Sequence, residues 1–259
     1  MTGVAVITGA ARGIGAATAR RLARSGWELV LVDRCADDDA LAYPLATRAE
    51  LDAVAAQTGG VPFVADVRDQ AALDAAVALA VERFGGLDAA LAVAGCITGG
   101  QPAWQTDDAA WSVLLDVNTA GVWRLARAAV PAMLERPAPR QGRFVAVSSA
   151  SGTLGMPLLA AYSAAKHAVI GLVRSMAAEL GPQGITVNAV APGSTATMML
   201  EASAGVYGLA TSEAFAAHHQ LGRLVQPDEV AAMIEWVCGP EAAAVTGAVL
   251  PVDAGMTAS

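Results

Sequence analysis

Val4-Ala5-Val6-Ile7-Thr8-Gly9-Ala10-Ala11-Arg12-Gly13-Ile14-Gly15 is the stretch from which the fold can be read. Its apolar, mostly β-branched start reads as a buried strand, and the Ala-rich run Ile14–Ser25 reads as a helix. Between them, Gly9, Gly13 and Gly15 have GxxxGxG spacing, a variant of the GxGxxG turn. Glycine lets the main chain turn sharply and approach a pyrophosphate, whose charge then lies at a helix N-terminus. Alone, such a turn also serves as a structural loop. Here a second apolar run, Glu28–Val32, follows and ends at Asp33, eighteen residues past Gly15. A carboxylate at that point accepts the ribose hydroxyls of a dinucleotide and repels a 2′-phosphate, so NAD is expected rather than NADP. Arg12 and Arg34 weigh the other way, since either could reach a phosphate.

Working outward, short apolar runs alternate with Ala/Leu-rich segments. Strands are expected at Val4–Ile7, Glu28–Val32, Val61–Ala65, Leu87–Val93, Arg143–Val147, Ile185–Val190 and Ala248–Val252. Helices are expected near Ile14–Ser25, Arg48–Gln57, Gln70–Phe84, Asp107–Leu134, Leu158–Leu180 and Pro227–Cys238. Continuous apolar strands separated by helices predict an α/β fold: a Rossmann-type, doubly wound sheet of about seven parallel strands with helices on both faces. One domain over 1–259 accommodates them, with ligands at the carboxyl ends of the strands. Pro137–Gly142 reads as an exposed loop, and the irregular stretch Pro192–Gln226 contains a substrate lid at about 194–224.

The composition agrees with such a fold. Of 259 residues, 55% are hydrophobic and 15% charged, enough for a large core. No apolar run has membrane-spanning length: Ala71–Ala80 is broken by Asp74. The first residues read as strand and turn without a basic region, not as a signal peptide. A net charge of −8 argues against a nucleic-acid partner. Cys35, Cys96 and Cys238 are widely spaced, without a CxxC, and read as thiols in a reducing cytoplasm.

Tyr162 and Lys166 lie four apart in a helical segment and share one face. A neighbouring ammonium favours phenolate, so Tyr162 is expected to exchange protons nearer neutral pH than a free tyrosine. Most such pairs are solvated helix surface. Ser149, thirteen residues earlier and just past an apolar strand, sets this one apart, because its hydroxyl can hold a substrate oxygen beside the phenol. Asp66, after the third strand, is either a partner for the adenine amino group or a cap for the next helix.

Together, Thr8-Gly-x-x-x-Gly-x-Gly, Asp66-Val67, Asn118, Ser149, Tyr162-x-x-x-Lys166, Pro192-Gly193 and Val252-Asp-Ala-Gly255 resemble the short-chain dehydrogenases/reductases over essentially the whole chain. The resemblance implies Tyr162 as general acid/base, Lys166 as its pKa partner and nicotinamide-ribose ligand, Ser149 as the substrate-orienting group and Asn118 as holder of a relay water. It implies a cofactor cradle of Thr8, Gly9, Arg12, Gly13, Ile14, Gly15, Asp33, Arg34, Asp66, Val67, Ala94, Gly95, Pro192, Gly193, Thr195 and Thr197, with Thr197 on the carboxamide. It also implies a homotetramer built on the helices around Val113–Ala129 and Ala165–Ala178. The chain departs from the family at Ala92-Val93-Ala94-Gly95, where Asn-Asn-Ala-Gly is usual, and at Ala254-Gly255.

A second likeness lies between Asp33 and the next helix. Asp33-x-Cys35, followed by Tyr43-Pro44-x-Ala46-Thr47 in an insertion over 35–47, resembles the carveol-dehydrogenase-like subgroup coupled to the peptide-derived redox cofactor mycofactocin. There the insertion is expected to cover NAD and slow its exchange; the alternative is a variable surface loop. The leading expectation is an NAD-linked enzyme interconverting a small apolar secondary alcohol and its ketone. An NADPH-dependent ketoreductase of acyl-carrier type and a non-catalytic dinucleotide sensor are the alternatives. His218-His219 is expected on the lid, with no metal bound, and His167 on another face of its helix. Trp104, Trp111 and Trp123 are expected in helix packing, and Met198 and Met199 in an apolar substrate wall.

Overall fold

A computed structural model describes residues 3–258. Seven strands, β1 Val4–Thr8, β2 Glu28–Asp33, β3 Val61–Val64, β4 Ala89–Ala92, β5 Gly142–Val147, β6 Ile185–Pro192 and β7 Val249–Val252, form one parallel sheet. Their order is β3-β2-β1-β4-β5-β6-β7. Chain direction across the sheet therefore reverses between β1 and β4, and that switch point opens a crevice at the strands' carboxyl ends.

Side-chain alternation along each strand sends residues to both faces, and both faces are covered. Val4, Val6, Phe144 and Val187 pack with α3 (Gln70–Phe84), α5 (Gly121–Leu134) and α6 (Ala160–Leu180). Ala5, Ile7, Val145 and Val190 pack with α1 (Gly13–Arg24), α2 (Arg48–Thr58) and α8 (Pro227–Cys238). The central strand β4 is Ala-Ala-Leu-Ala, fully buried. Small side chains there let helices on both sides approach the switch point closely.

Three expectations need correction. The single helix expected over Asp107–Leu134 is α4 (Asp108–Leu115) and α5 joined by one π-helical turn, Asp116–Ala120. The extra residue of such a turn leaves no pattern in hydrophobic periodicity. The irregular stretch before α8 contains α7 (Met198–Val206), capped by Thr197, whose hydroxyl accepts from the Leu200 amide. Helix packing does not account for Trp104, which is 84% exposed, and covers Trp111 and Trp123 only in part, leaving 45% and 47% exposed.

No helix among the described residues is long and apolar enough to cross a membrane.

Candidate active site

The first wall of the crevice is the turn after β1. Gly9 and Gly13 have φ of +70° and +55°, and a Cβ on Gly15 would lie 2.0 Å from the Gly9 carbonyl oxygen. Any side chain would break this turn. Helices α2, α3 and α4 are capped by Thr47, Asp69 and Asp107, whereas Arg12 at the start of α1 makes no side-chain cap. The first amides of α1 thus face the crevice as an anion cradle beside Gly9, Asp33, Val67, Ala94 and Gly95, all of which line it. These residues fit a dinucleotide. Thr8 and Pro192 are the buried last residues of β1 and β6 and do not line the crevice. The buried Thr8 hydroxyl accepts from the amides of Val93 and Ala94, tying β1 to β4 where the usual asparagine is missing. Thr195 is buried and donates to the Gly193 carbonyl, and Thr197 lines the crevice.

Asp33 accepts from the Ala11 amide at 3.0 Å, so one carboxylate oxygen braces the glycine turn. Asp66 is no helix cap, since Asp69 fills that place. Its carboxylate instead meets Arg68, through Nε at 3.1 Å and Nη2 at 2.7 Å, and the Nε of Arg34 at 3.3 Å.

The insertion crosses the crevice. Leu41, Tyr43, Leu45 and Ala46 line it from above. Arg12 Nη2 donates to the Pro44 carbonyl at 2.8 Å, and Tyr43 Oη accepts from the Ile97 amide at 3.1 Å. Asp38 is paired with Arg34 and, at 2.9 Å, with Arg68. The connection after β2 is therefore fastened to those after β1, β3 and β4. It is not a loose surface loop.

At the far end, Lys166 Nζ donates to the Val147 carbonyl at 2.9 Å and Ser148 Oγ donates to the Lys166 carbonyl at 3.0 Å, stitching α6 to β5. Tyr162 and Lys166 are buried, with the ammonium 5.8 Å from the phenol ring centroid. Asn118, in the π turn and fully buried, accepts from the Cys96 amide at 3.1 Å and donates to its carbonyl at 3.0 Å. A Cβ on Gly95 would lie 2.8 Å from Asn118 Oδ1 and 3.6 Å from Lys166 Nζ. Gly95 is thus the thin wall between the crevice and the Asn118–Lys166 pair.

The titration expected of Tyr162 is corrected by its surroundings. Burial pushes the phenol up to about 12, and a hydrogen bond with Ser149 only partly opposes this. Burial also pulls Lys166 down to about 8. Both groups have left water, and the cost of burying a phenolate exceeds what the hydrogen bond with Ser149 returns.

Around Tyr162 packs an apolar group that includes Ile97, Leu159, Met156, Met199, Val206 and Tyr207, to which the insertion adds Leu41 and Tyr43. Met199 and Met198 line the crevice, Met198 being 47% exposed. Sequence reasoning named Tyr43 only as part of the insertion and Cys96 only as a thiol, and missed Leu41. Only their positions inside recognised segments could have pointed to them. His219 is buried and accepts from the Ser194 amide at 3.1 Å, while His218 and His167 are exposed. Among the described residues no cluster of three or more His, Cys, Asp or Glu could hold a metal.

A family model described as enoyl-(acyl carrier protein) reductase matches residues 9–257. The chain belongs to the short-chain dehydrogenase/reductase family, whose members are oxidoreductases. It is 36% identical to (−)-trans-carveol dehydrogenase of Rhodococcus erythropolis, covering 98% of this chain and 97% of that one. It is 39% identical to a putative ketoacyl reductase of the monensin polyketide synthase of Streptomyces virginiae, covering 98% and 96%. Among solved structures, carveol dehydrogenase from Mycobacterium avium in complex with NAD is similar, with a TM-score of 0.91 and 34% identity over 99% of this chain and 98% of that one.

Proposed function

We propose that the protein is an NAD-dependent dehydrogenase that interconverts an apolar secondary alcohol and its ketone, with NAD held under the insertion and reoxidised by an external acceptor such as mycofactocin. The observation that carries this reading is the insertion's fastening across the crevice, through Arg12–Pro44, Arg34–Asp38 and Tyr43–Ile97. The likeness to carveol dehydrogenases, one of them bound to NAD, supports it.

Thr8 to Gly15, Asp33, Arg34, Asp66, Val67, Ala94, Gly95 and Pro192 to Thr197 form the cradle for NAD, whose nicotinamide exchanges the hydride with the carbinol carbon. Asp33 accepts the adenosine ribose hydroxyls. Ser149 orients the substrate oxygen, and Tyr162 takes or returns its proton. Lys166, behind Gly95, binds the nicotinamide ribose and polarises the phenol. Asn118 fixes the Gly95-Cys96 main chain with its amide, so a relay water would rest on its main-chain carbonyl. The apolar side chains around Tyr162 keep water from the phenol and suit a hydrocarbon ring better than a charged substrate.

The exposed Trp111 and Trp123 of α4 and α5 supply apolar surface for the homotetramer expected of the family, and three free cysteines fit the reducing cytoplasm. An NADPH-dependent ketoreductase is the second reading, favoured by the likeness to the monensin reductase. Arginines already engaged with Asp38, Asp66 and Pro44 weigh against it.

Tyr162→Phe tests the chemistry. Turnover should fall roughly a hundred- to ten-thousandfold with NAD affinity kept, the usual effect of a positioned proton donor. Near-normal turnover would overturn the assignment.

A further inference from the structure

Three cations border the adenosine end of the crevice, and the insertion engages all of them. Arg34, directly after Asp33, is held by Asp38 and Asp66. Arg68 is held by the same two carboxylates, at 2.9 and 2.7 Å. Arg12 donates to the Pro44 carbonyl at 2.8 Å. Asp38 stands at the centre of this arrangement. Its side chain is only 10% exposed, lies between two guanidiniums and accepts from the Ala40 amide at 3.0 Å. Burial pushes its carboxyl up, but the Ala40 amide and the two guanidiniums outweigh that and hold it below the usual carboxylate range.

A ribose 2′-phosphate needs guanidinium donors not already claimed by carboxylates. Arg12, Arg34 and Arg68 are matched here by Asp33, Asp38 and Asp66, so this wall carries no net positive charge. Removing Asp33 alone lifts its repulsion but leaves Arg34 and Arg68 held by Asp38 and Asp66, of which Asp38 is the more buried, 10% against 24% exposed, and the one the insertion supplies. We propose that Asp38 is a second determinant of cofactor choice, acting by holding Arg34 and Arg68 away from the ribose 2′ position. The insertion then has two functions, covering the cofactor and setting which cofactor is accepted. This rests on the reading that the crevice holds a dinucleotide with its adenosine ribose at Asp33.

The test is equilibrium binding of NADH and NADPH, followed by nicotinamide fluorescence, to dinucleotide-stripped wild type, Asp33→Asn, Asp38→Asn and the double variant. Asparagine at 33 keeps an acceptor for the Ala11 amide, and at 38 an acceptor for the Ala40 amide, while each loses its charge. Thermal melting and NADH affinity of Asp38→Asn report whether the insertion still folds. Asp33→Asn should improve NADPH affinity less than tenfold, and the double variant should improve it at least tenfold beyond the product of the single effects. A double variant that binds NADPH no better than Asp33→Asn would overturn the role of Asp38. Wild type that binds NADPH as tightly as NADH would overturn the underlying reading of Asp33 instead.

Discussion

The phenol of Tyr43 accepts a hydrogen bond from the main-chain amide of Ile97 at 3.1 Å, joining the connection after β2 to the connection after β4 across the mouth of the crevice. Tyr43 packs in the same apolar group as Tyr162, so one side chain of the insertion reaches both the crevice and the surroundings of the proposed acid/base.

Tyr43→Phe keeps the ring and removes this one bond. A net value of about 1 kcal/mol for such a bond corresponds to roughly a fivefold faster release of dinucleotide. Displacement of NADH by excess NAD in a stopped-flow instrument measures it. An unchanged release rate, with NADH bound as in wild type, would show that the bond does not restrain the cover.

Asn118→Ala removes both bonds to Cys96 in a fully buried setting. An amide and a carbonyl left without partners cost about 1–3 kcal/mol each. The melting temperature should drop by several degrees and turnover should fall with it, whereas Asn118→Ala melting like wild type would remove Asn118 from the framework of the site.

His219 predicts a pH dependence of cofactor binding. Its Nε2 accepts from the Ser194 amide, which requires an unprotonated nitrogen there. Burial lowers its pKa from 6.5, opposed by hydrogen bonding to Phe215 and by the Asp253 carboxylate, and seconded by His218 and Arg223. A depressed histidine contributes stability that is present above the unfolded value and lost as pH falls through the folded one. NADH affinity should therefore decline as the pH falls below 6.5, the ordinary histidine value. His219→Gln, an acceptor that does not titrate, should flatten the profile; an equally steep decline in His219→Gln would place the titrating group elsewhere.

Alkaline stability follows from a shared trait. All three cysteines and all three tyrosines are raised, chiefly by burial, with Cys35 near 11 and Cys96, Cys238 and Tyr162 near 12. Each raised group contributes stability that is complete below its unfolded value, 9.0 for thiols and 10.0 for phenols, and is lost as pH rises further. Lys166, lowered to about 8, acts oppositely between there and 10.5, one group against six. Stability should fall above pH 9, with thiolate and phenolate absorbance appearing together with loss of the circular dichroism signal. Phenolate formed near pH 10 in protein that stays folded would contradict the burial of these groups.

Much of this was legible in the sequence because the signals are local. The spacing of Gly9, Gly13 and Gly15, the end of β2 at Asp33 and the four-residue step from Tyr162 to Lys166 fix positions along one element, and short periodicities report those well. The π turn at Asp116–Ala120 was not legible, since an extra residue within a helix leaves the composition unchanged. Nor were the partners of Arg34 and Arg68, which depend on how an irregular segment folds back. The titration of Tyr162 was misread for a related reason: sequence places Lys166 beside it but does not tell how dry the two become.

Whether a cofactor is held beneath the insertion is read most directly by native mass spectrometry of the protein purified without added dinucleotide and dialysed. The account predicts one NAD per chain, retained through dialysis, with poor turnover on free NAD and repeated turnover on an artificial electron acceptor. Protein that arrives empty and turns over readily with free NAD would contradict it.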